Sequence, residues 1–287
     1  MSAVYQTSHV NKRARRTKDQ TVALRELLHT VLAEHHPMTV RQAYYQLVAR
    51  QAIDNNRGQY QAISNLLVDM RKAGIVPWAW IEDRNRRPRH VAMWDDLADF
   101  GRTVLRSYRR DVWLTQPGLI EVWLEKDALS GIFEDVLASY GVTLNVGRGY
   151  DGWDSIHNAA DRYEAGEGVT VLYFGDFDPS GEDMVRSLRE RLGMLGSNPE
   201  IVKCALTPED VRRYNLPPDF TKATDSRRAG FVAKYGDVSV ELDALPITIL
   251  RAQVIQEVEQ RMDLLALEAT RQQEAAEQLE LQRALKL

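Results

Sequence analysis

Thirteen residues, Val169-Thr-Val-Leu-Tyr-Phe-Gly-Asp-Phe-Asp-Pro-Ser-Gly181, constrain this chain more than any other stretch. From Val169 to Phe174 the run is β-branched, aromatic and aliphatic. Apolar character without alternation predicts a strand covered on both faces, as in a parallel sheet between helices. Gly175 ends the run, Asp176 and Asp178 follow at alternate positions, and helical spacing resumes over 182–192. Side chains two apart on an extended strand end point the same way, so both carboxylates can face one point beyond the sheet. Acids aimed at one point repel unless a cation lies between them, and an all-oxygen site suits Mg²⁺. The plainer alternative makes Asp176 a turn former and Asp178 the opening of a turn before Pro179. This stretch alone does not separate the two.

A second stretch bears on the choice. Leu119-Ile-Glu-Val-Trp-Leu-Glu-Lys126 is another apolar run ending in an acid, Glu125, and a helix is expected over 127–139. Parallel α/β sheets gather the carboxyl ends of their strands at one edge, where ligands bind. Glu125 would meet the Asp176/Asp178 pair there. Strands over 119–125, 142–147, 169–175 and 200–205, alternating with helices over 128–140, 153–164 and 181–193, predict a doubly wound parallel sheet.

The front of the chain has a different period. Residues 1–17 carry Lys12, Arg13, Arg15 and Arg16 without apolar spacing, giving a flexible basic arm, either phosphate-binding or merely solubilising. A helix is expected over 18–35, ended by His35 and His36; adjacent residues point apart, so a helix terminus fits this pair better than a metal site. Thr39 caps a helix over 40–50 in which Val40, Tyr44, Leu47 and Val48 share one face. Tyr45 points away from that face, with Arg41 one turn before it. Tyr44 is therefore expected in the core and Tyr45 presented, with a guanidinium beside it. From periodicity alone, an outward tyrosine is more often a surface residue than a catalyst. A third helix is expected over 59–73, then a strand over 75–81 with Trp78 and Trp80 on one face, serving packing rather than base stacking. The loop that follows carries Arg84, Arg86, Arg87 and Arg89, suited to backbone phosphates. A helix over 93–108 leads to a junction over 112–117.

The net charge of −4 divides unevenly. Residues 1–116 hold 19 Lys and Arg against 11 Asp and Glu, a balance of +8, and the rest of the chain holds 18 against 30, a balance of −12. A basic front suits phosphate and an acidic rear suits metal. Cys204 is the single cysteine, so no internal disulfide can form, and no run of about 18 apolar residues occurs. These features predict a soluble, cytoplasmic protein. Near the end, Glu241 and Asp243 form an acidic pair, Asp243 being also a candidate helix cap. The loop over 222–228, with Lys222, Asp225, Arg227 and Arg228, either touches DNA or is simply solvated. From Thr248 onward neither Pro nor Gly appears, which predicts one or two long helices, the last suited to a coiled coil or to fraying in solvent.

A strand-end Glu followed by a later strand ending in Asp-x-Asp resembles the Toprim domain of topoisomerases, primases and related nucleases. Asp176-Phe-Asp-Pro-Ser-Gly181 is similar to the Asp-x-Asp-Pro-x-Gly of the topoisomerase VI A subunit and its meiotic double-strand-break relatives. Arg148-Gly-Tyr-Asp-Gly-Trp-Asp-Ser155 stands where that family has a Gly-containing loop, and Val240-Glu-Leu-Asp-Ala-Leu-Pro246 resembles its late Glu-x-Asp-Ala-Leu segment. Thr39-Val-Arg-Gln-Ala-Tyr-Tyr45 resembles the Arg-x-x-Tyr-Tyr of the winged-helix domain that carries the cleaving tyrosine. The resemblance covers roughly residues 20–263, in the family's order.

It implies a mixed α/β protein: a flexible basic arm (1–17), a winged-helix DNA-binding domain (18–117), a Toprim metal-binding domain (118–263) and a C-terminal helix (264–287). It implies Tyr45 as nucleophile, assisted by Arg41, with Glu125, Asp176 and Asp178 binding one or two Mg²⁺ ions. Double-stranded DNA would be cut by transesterification, leaving a 5′-phosphotyrosyl link. The implied assembly is a nucleoid-associated homodimer in which one subunit's tyrosine faces the other's acids. Two departures stand out: the chain is shorter than the family's usual A subunit, and it has no P-loop, so strand passage would need a separate ATPase subunit. The alternatives are a Toprim metal-dependent DNA hydrolase with Tyr45 idle and a non-catalytic winged-helix DNA-binding dimer.

Overall fold

The computed structural model of the chain describes residues 17–81, 91–147, 152–164, 168–218 and 225–285. Four strands, β1 (Ile120–Leu124), β2 (Thr143–Val146), β3 (Thr170–Phe174) and β4 (Glu200–Ala205), form one all-parallel sheet in the order β2-β1-β3-β4. Alternation along the strands decides which side each residue serves. On one face Val122, Leu124, Leu172 and Phe174 pack with Phe133 and Leu137 of helix α5 (Ser130–Leu137) and with Leu250 and Val254 of α10 (Ile247–Glu259). On the other face Trp123, Val171 and Tyr173 pack with Ile156 and Ala159 of α6 (Trp153–Glu164) and Leu188 and Leu192 of α7 (Pro179–Met194). Burial on both faces explains the unalternating apolar runs.

Ahead of the sheet lie α1 (Lys18–His35), α2 (Val40–Ala49) and α3 (Arg57–Lys72). Thr17 with Gln20 and Thr39 with Gln42 close capping boxes on α1 and α2, and the Asn56 side chain accepts from Gln59 N on α3. Their buried Leu28, Leu47, Ile63 and Met70 belong to the same contiguous core as the first sheet face. His35 is the last residue of α1, and His36 stacks on Trp80 with ring centres 4.6 Å apart.

The strand expected over 75–81 is not formed. Pro77, without an N–H and with φ −58°, starts a 3-10 turn at Trp78–Trp80, and only the bridge between Met38 and Ile81 is strand-like. Trp78 and Trp80 therefore do not share a strand face. Trp80 packs on the core, while Trp78 is exposed with the Arg71 guanidinium 4.1 Å over its ring. The loop with Arg84, Arg86, Arg87 and Arg89 lies outside the described residues, as do residues 1–16, Arg148 to Asp151 and Lys222.

Helix α4 (Leu97–Ser107) begins four residues after the expected start, because Asp96 accepts from Asp99 N at 2.7 Å and caps it there. The junction without a clear period becomes a 3-10 turn, Val112–Thr115. Two short helices, α8 (Pro208–Arg213) and α9 (Arg228–Tyr235), precede α10. The final helix, α11 (Leu264–Leu285), folds back on this junction. Glu277 takes hydrogen bonds from Tyr108 and Arg110, Glu274 accepts from Arg110 N at 2.8 Å, and Thr270 meets Thr115 at 3.2 Å. Among the described residues, no helix is long and apolar enough to cross a membrane.

Candidate functional site

The chain leaves β1 toward β2 and returns across the sheet to β3, so the strand order reverses between β1 and β3. A crevice opens at the carboxyl ends of two such strands. Glu125 stands at the end of β1 and Asp176 just past the end of β3. The two segments are zipped together there: Glu125 N donates to Phe174 O, and Asp176 N donates to Glu125 Oε2, each at 2.9 Å. The approach leaves no room for a side chain at Gly175, where a Cβ would lie 2.5 Å from Glu125 Oε2. At Gly181 a Cβ would run into the Asp176 carbonyl oxygen. The two glycines are thus the residues that let the acidic edge close.

Asp178 does not aim at the same point as Asp176. Its Oδ1 accepts from Gly181 N at 2.7 Å and caps α7, with Pro179 in the first turn. The plainer reading of this residue is the one observed, for a geometric reason. The chain stops being a strand at Phe174, so the two-residue alternation no longer fixes its direction. Asp176 Oδ1 instead accepts from Leu242 N at 2.7 Å and pairs with Lys126 Nζ at 3.1 Å.

Lys126 is the residue that sequence reasoning passed over. Its ammonium also reaches Glu241 Oε2 at 3.0 Å and Asp243 Oδ1 at 2.7 Å. Asp243 does not cap a helix: it lies in the 3-10 turn Leu242–Ala244, and Pro246 precedes the first turn of α10. Arg41 of α2 pairs with Glu241 and places Nε 2.8 Å from Asp243 Oδ2. The Tyr45 hydroxyl donates to Glu241 Oε2 at 2.5 Å. Arg41 and Tyr45 from the front helices, Lys126 and Asp176 from the sheet edge, and Glu241 and Asp243 from the late turn thereby form one ionic network.

Periodicity predicts Tyr45 as the presented member of the tyrosine pair, and the structure corrects this. Tyr44 and Tyr45 are both buried, at 3% and 6% exposure. Tyr44 donates to Asn55 Oδ1 at 3.0 Å and accepts from Asn56 N at 2.8 Å. The opposite face of α2 meets the 3-10 turn of the rear half rather than water, which a single-helix period cannot reveal. The Tyr45 contact lies within its own chain. Arg227 and Arg228, expected in a solvated or DNA-touching loop, have protein partners: Arg227 binds Asp225, Asp183 and Ser180, and Arg228 binds Asp237.

Charges at the site are unequal. Burial, then the neighbouring Asp176 and, more weakly, Asp178, push the Glu125 carboxyl up to about 7. Burial also raises Asp176, against the pull of Lys126 and the Leu242 N–H. Burial would raise Glu241 as well, but Lys126, the Tyr45 hydrogen bond and Arg41 outweigh it and hold the group at about 2. Tyr45 is pushed above its ordinary value, first by burial, then by Asp243 and by its bond to Glu241, while Arg41 pulls the other way. Burial lowers Lys126, yet Asp243, Asp176 and Glu241 together keep it above the ordinary lysine value.

The donor chemistry fits Mg²⁺. Glu125, Asp176 and Asp178 offer hard carboxylate oxygens, and burial, reinforced by neighbouring acids, holds Glu125 and Asp176 above the ordinary carboxylate range. Among the described residues, no three His, Cys, Asp or Glu side chains are gathered into a ready metal cage. Mg²⁺ commonly keeps several waters and binds through one or two carboxylates, so it does not require such a cage. No protein-family model matches the chain, and no curated protein matches it.

Proposed function

We propose that this protein cleaves duplex DNA in a Mg²⁺-dependent transesterification, with Tyr45 as nucleophile. The observation that carries this reading is the convergence of Arg41 and Tyr45 on Glu241 and Asp243, which Lys126 joins to Asp176 at the sheet edge. A hydroxyl nucleophile and a guanidinium, one helical turn apart, thus reach the acids of an α/β switch point. The Tyr45 oxygen would bond to a backbone phosphorus as the bond to the 3′ oxygen breaks, the phenolic proton ending on that oxygen as a 3′-hydroxyl and the 5′ end remaining on the protein. The reverse attack by that 3′-hydroxyl would reseal the strand. Arg41 would stabilise charge developing on the phosphate. Glu125, Asp176 and Asp178 would hold Mg²⁺, which supplies positive charge to the phosphate oxygens and orients them. Cutting both strands calls for two copies of the chain.

One observation favours a second reading, hydrolysis by water. The Tyr45 phenol is buried, gives its proton to a hydrogen bond with Glu241, and lies above its ordinary pKa. A water nucleophile would not need that phenol. The readings part in one experiment: end-labelled supercoiled DNA is incubated with the protein and Mg²⁺ and quenched in detergent. A protein-linked DNA end that disappears in Tyr45→Phe supports transesterification. Cleavage that survives in Tyr45→Phe and fails in Asp176→Ala makes the protein a hydrolase. DNA binding without cleavage by the wild type would defeat both.

A further inference from the structure

Five carboxylates line the acidic edge: Glu125, Asp176, Asp178, Glu241 and Asp243. Their positive partners are unevenly placed. Lys126 and Arg41 between them serve Asp176, Glu241 and Asp243. Among the described residues no ion pair reaches Glu125 or Asp178, whose hydrogen bonds come from the backbone N–H groups of Asp176 and Gly181. The Lys126 side chain is 13% exposed, and the Asp243 side chain it faces is fully buried. An ammonium has three N–H donors, and Lys126 meets three carboxylates at 2.7, 3.0 and 3.1 Å. Two of these contacts, to Glu241 and Asp243, are hydrogen bonds and the third is an ion pair, and together they fix its position from three directions.

We propose that Lys126 is a built-in cation that occupies the place a second divalent ion would take, so that each chain binds a single Mg²⁺, on the Glu125 and Asp178 side of Asp176. The inference rests on the Mg²⁺ reading above. Fully ionised, the five carboxylates exceed Lys126 and Arg41 by three charges, and one divalent ion reduces that excess to one. The excess lies where no protein cation pairs, beside Glu125. On the other side of Asp176, Lys126 and Arg41 already neutralise the carboxylates, so a second ion would have to displace a buried ammonium and face its charge. Two like charges that close repel far more strongly inside a protein than in water.

The test counts Mn²⁺, by equilibrium dialysis with paramagnetic resonance of the free ion, on the full-length chain without DNA. The wild type is expected to bind one Mn²⁺ per chain, and Lys126→Gln two. Lys126→Arg, which keeps the charge, is expected to bind one. Two ions on the wild type overturn the proposal, as does a single ion on a folded Lys126→Gln. If Lys126→Gln is unfolded without metal, recovery of its circular dichroism on taking up two Mn²⁺ gives the same support; a chain that stays unfolded in saturating Mn²⁺ overturns it. No Mn²⁺ on the wild type would sink the metal reading itself, an outcome distinct from a count of two.

Discussion

Strand β1 carries Glu121 and is followed at once by Glu125, and the two glutamates live in opposite circumstances. Glu121 is 1% exposed and fully served: Arg162 Nε and Nη2 reach it at 2.7 and 2.9 Å, Asn145 Nδ2 at 2.7 Å and the Tyr163 hydroxyl at 2.9 Å. Tyr163 in turn accepts from Trp123 Nε1 at 3.0 Å. Glu125 has one backbone N–H and two acidic neighbours. A buried acid with all its oxygens satisfied belongs to the architecture, whereas one left short of positive charge stores unfavourable energy that a ligand can release. Position along a strand does not decide which kind an acid is. What decides it is the set of donors that the neighbouring helix brings.

Substitutions can sharpen or break this contrast. The largest effect is expected on DNA cleavage by Glu125→Gln, which should fall at least about 100-fold with the fold intact, as losses of charge-stabilising groups do. Cleavage at wild-type rate in a gel assay would place Glu125 with the architectural acids. Next is Glu121→Ala, which strands the Arg162 guanidinium against a closed face. Since Arg162 is itself partly exposed, the expected loss is about 2–3 kcal/mol in urea unfolding. A shift below that range would mean that water replaces the carboxylate at little cost.

Smaller effects separate the two acids by pH. The folded carboxyl of Glu125 is raised from 4.5 to about 7, so its contribution to stability is fully present below 4.5 and is lost as pH rises through about 7. Glu125→Gln should therefore melt at or above the wild-type temperature at pH 8 and lose that advantage at pH 5, and Mg²⁺ should raise the wild-type melting temperature more than the variant's. The reverse order at pH 8 in calorimetry would show that Glu125 is already compensated. Smallest is Asp178→Ala, expected to cost about 1 kcal/mol through the lost cap of α7. Cleavage should fall further than this destabilisation explains, because Asp178 is also a proposed Mg²⁺ ligand; cleavage that falls only in step with stability would take Asp178 off the metal.

Local signals announced most of the α/β half. Apolar runs marked β1 and β3, and the alternation of strand and helix placed β2 and β4. In the front half, Thr39 marked the start of α2, whereas Pro77 inside an apolar aromatic run gave a turn where a strand was expected. At the site, Glu125 and Asp176 were legible because strand ends obey a simple geometry. The partnership of Lys126 with Glu241 and Asp243 was not, since it joins residues 115 and 117 positions apart and no periodicity reaches that far. Tyr45 failed for the same reason. Helical spacing tells which face is apolar, but not whether another part of the chain covers the opposite one.

The bond between Tyr45 and Glu241 spans 196 residues, and the one between Arg41 and Glu241 spans 200. A ribosome adding about 5–20 residues per second needs on the order of 10–40 s to make the second partner after the first. Throughout that interval the first three helices can cap and pack, but the tyrosine has no acids to join. Assembly of the site must therefore wait until the turn at Leu242–Ala244 has been made. A chain interrupted anywhere before that turn lacks Glu241 and Asp243, and so has no acids to hold the phenol. For the chemistry proposed here, a chain that stops short of that turn would lack the assembled site.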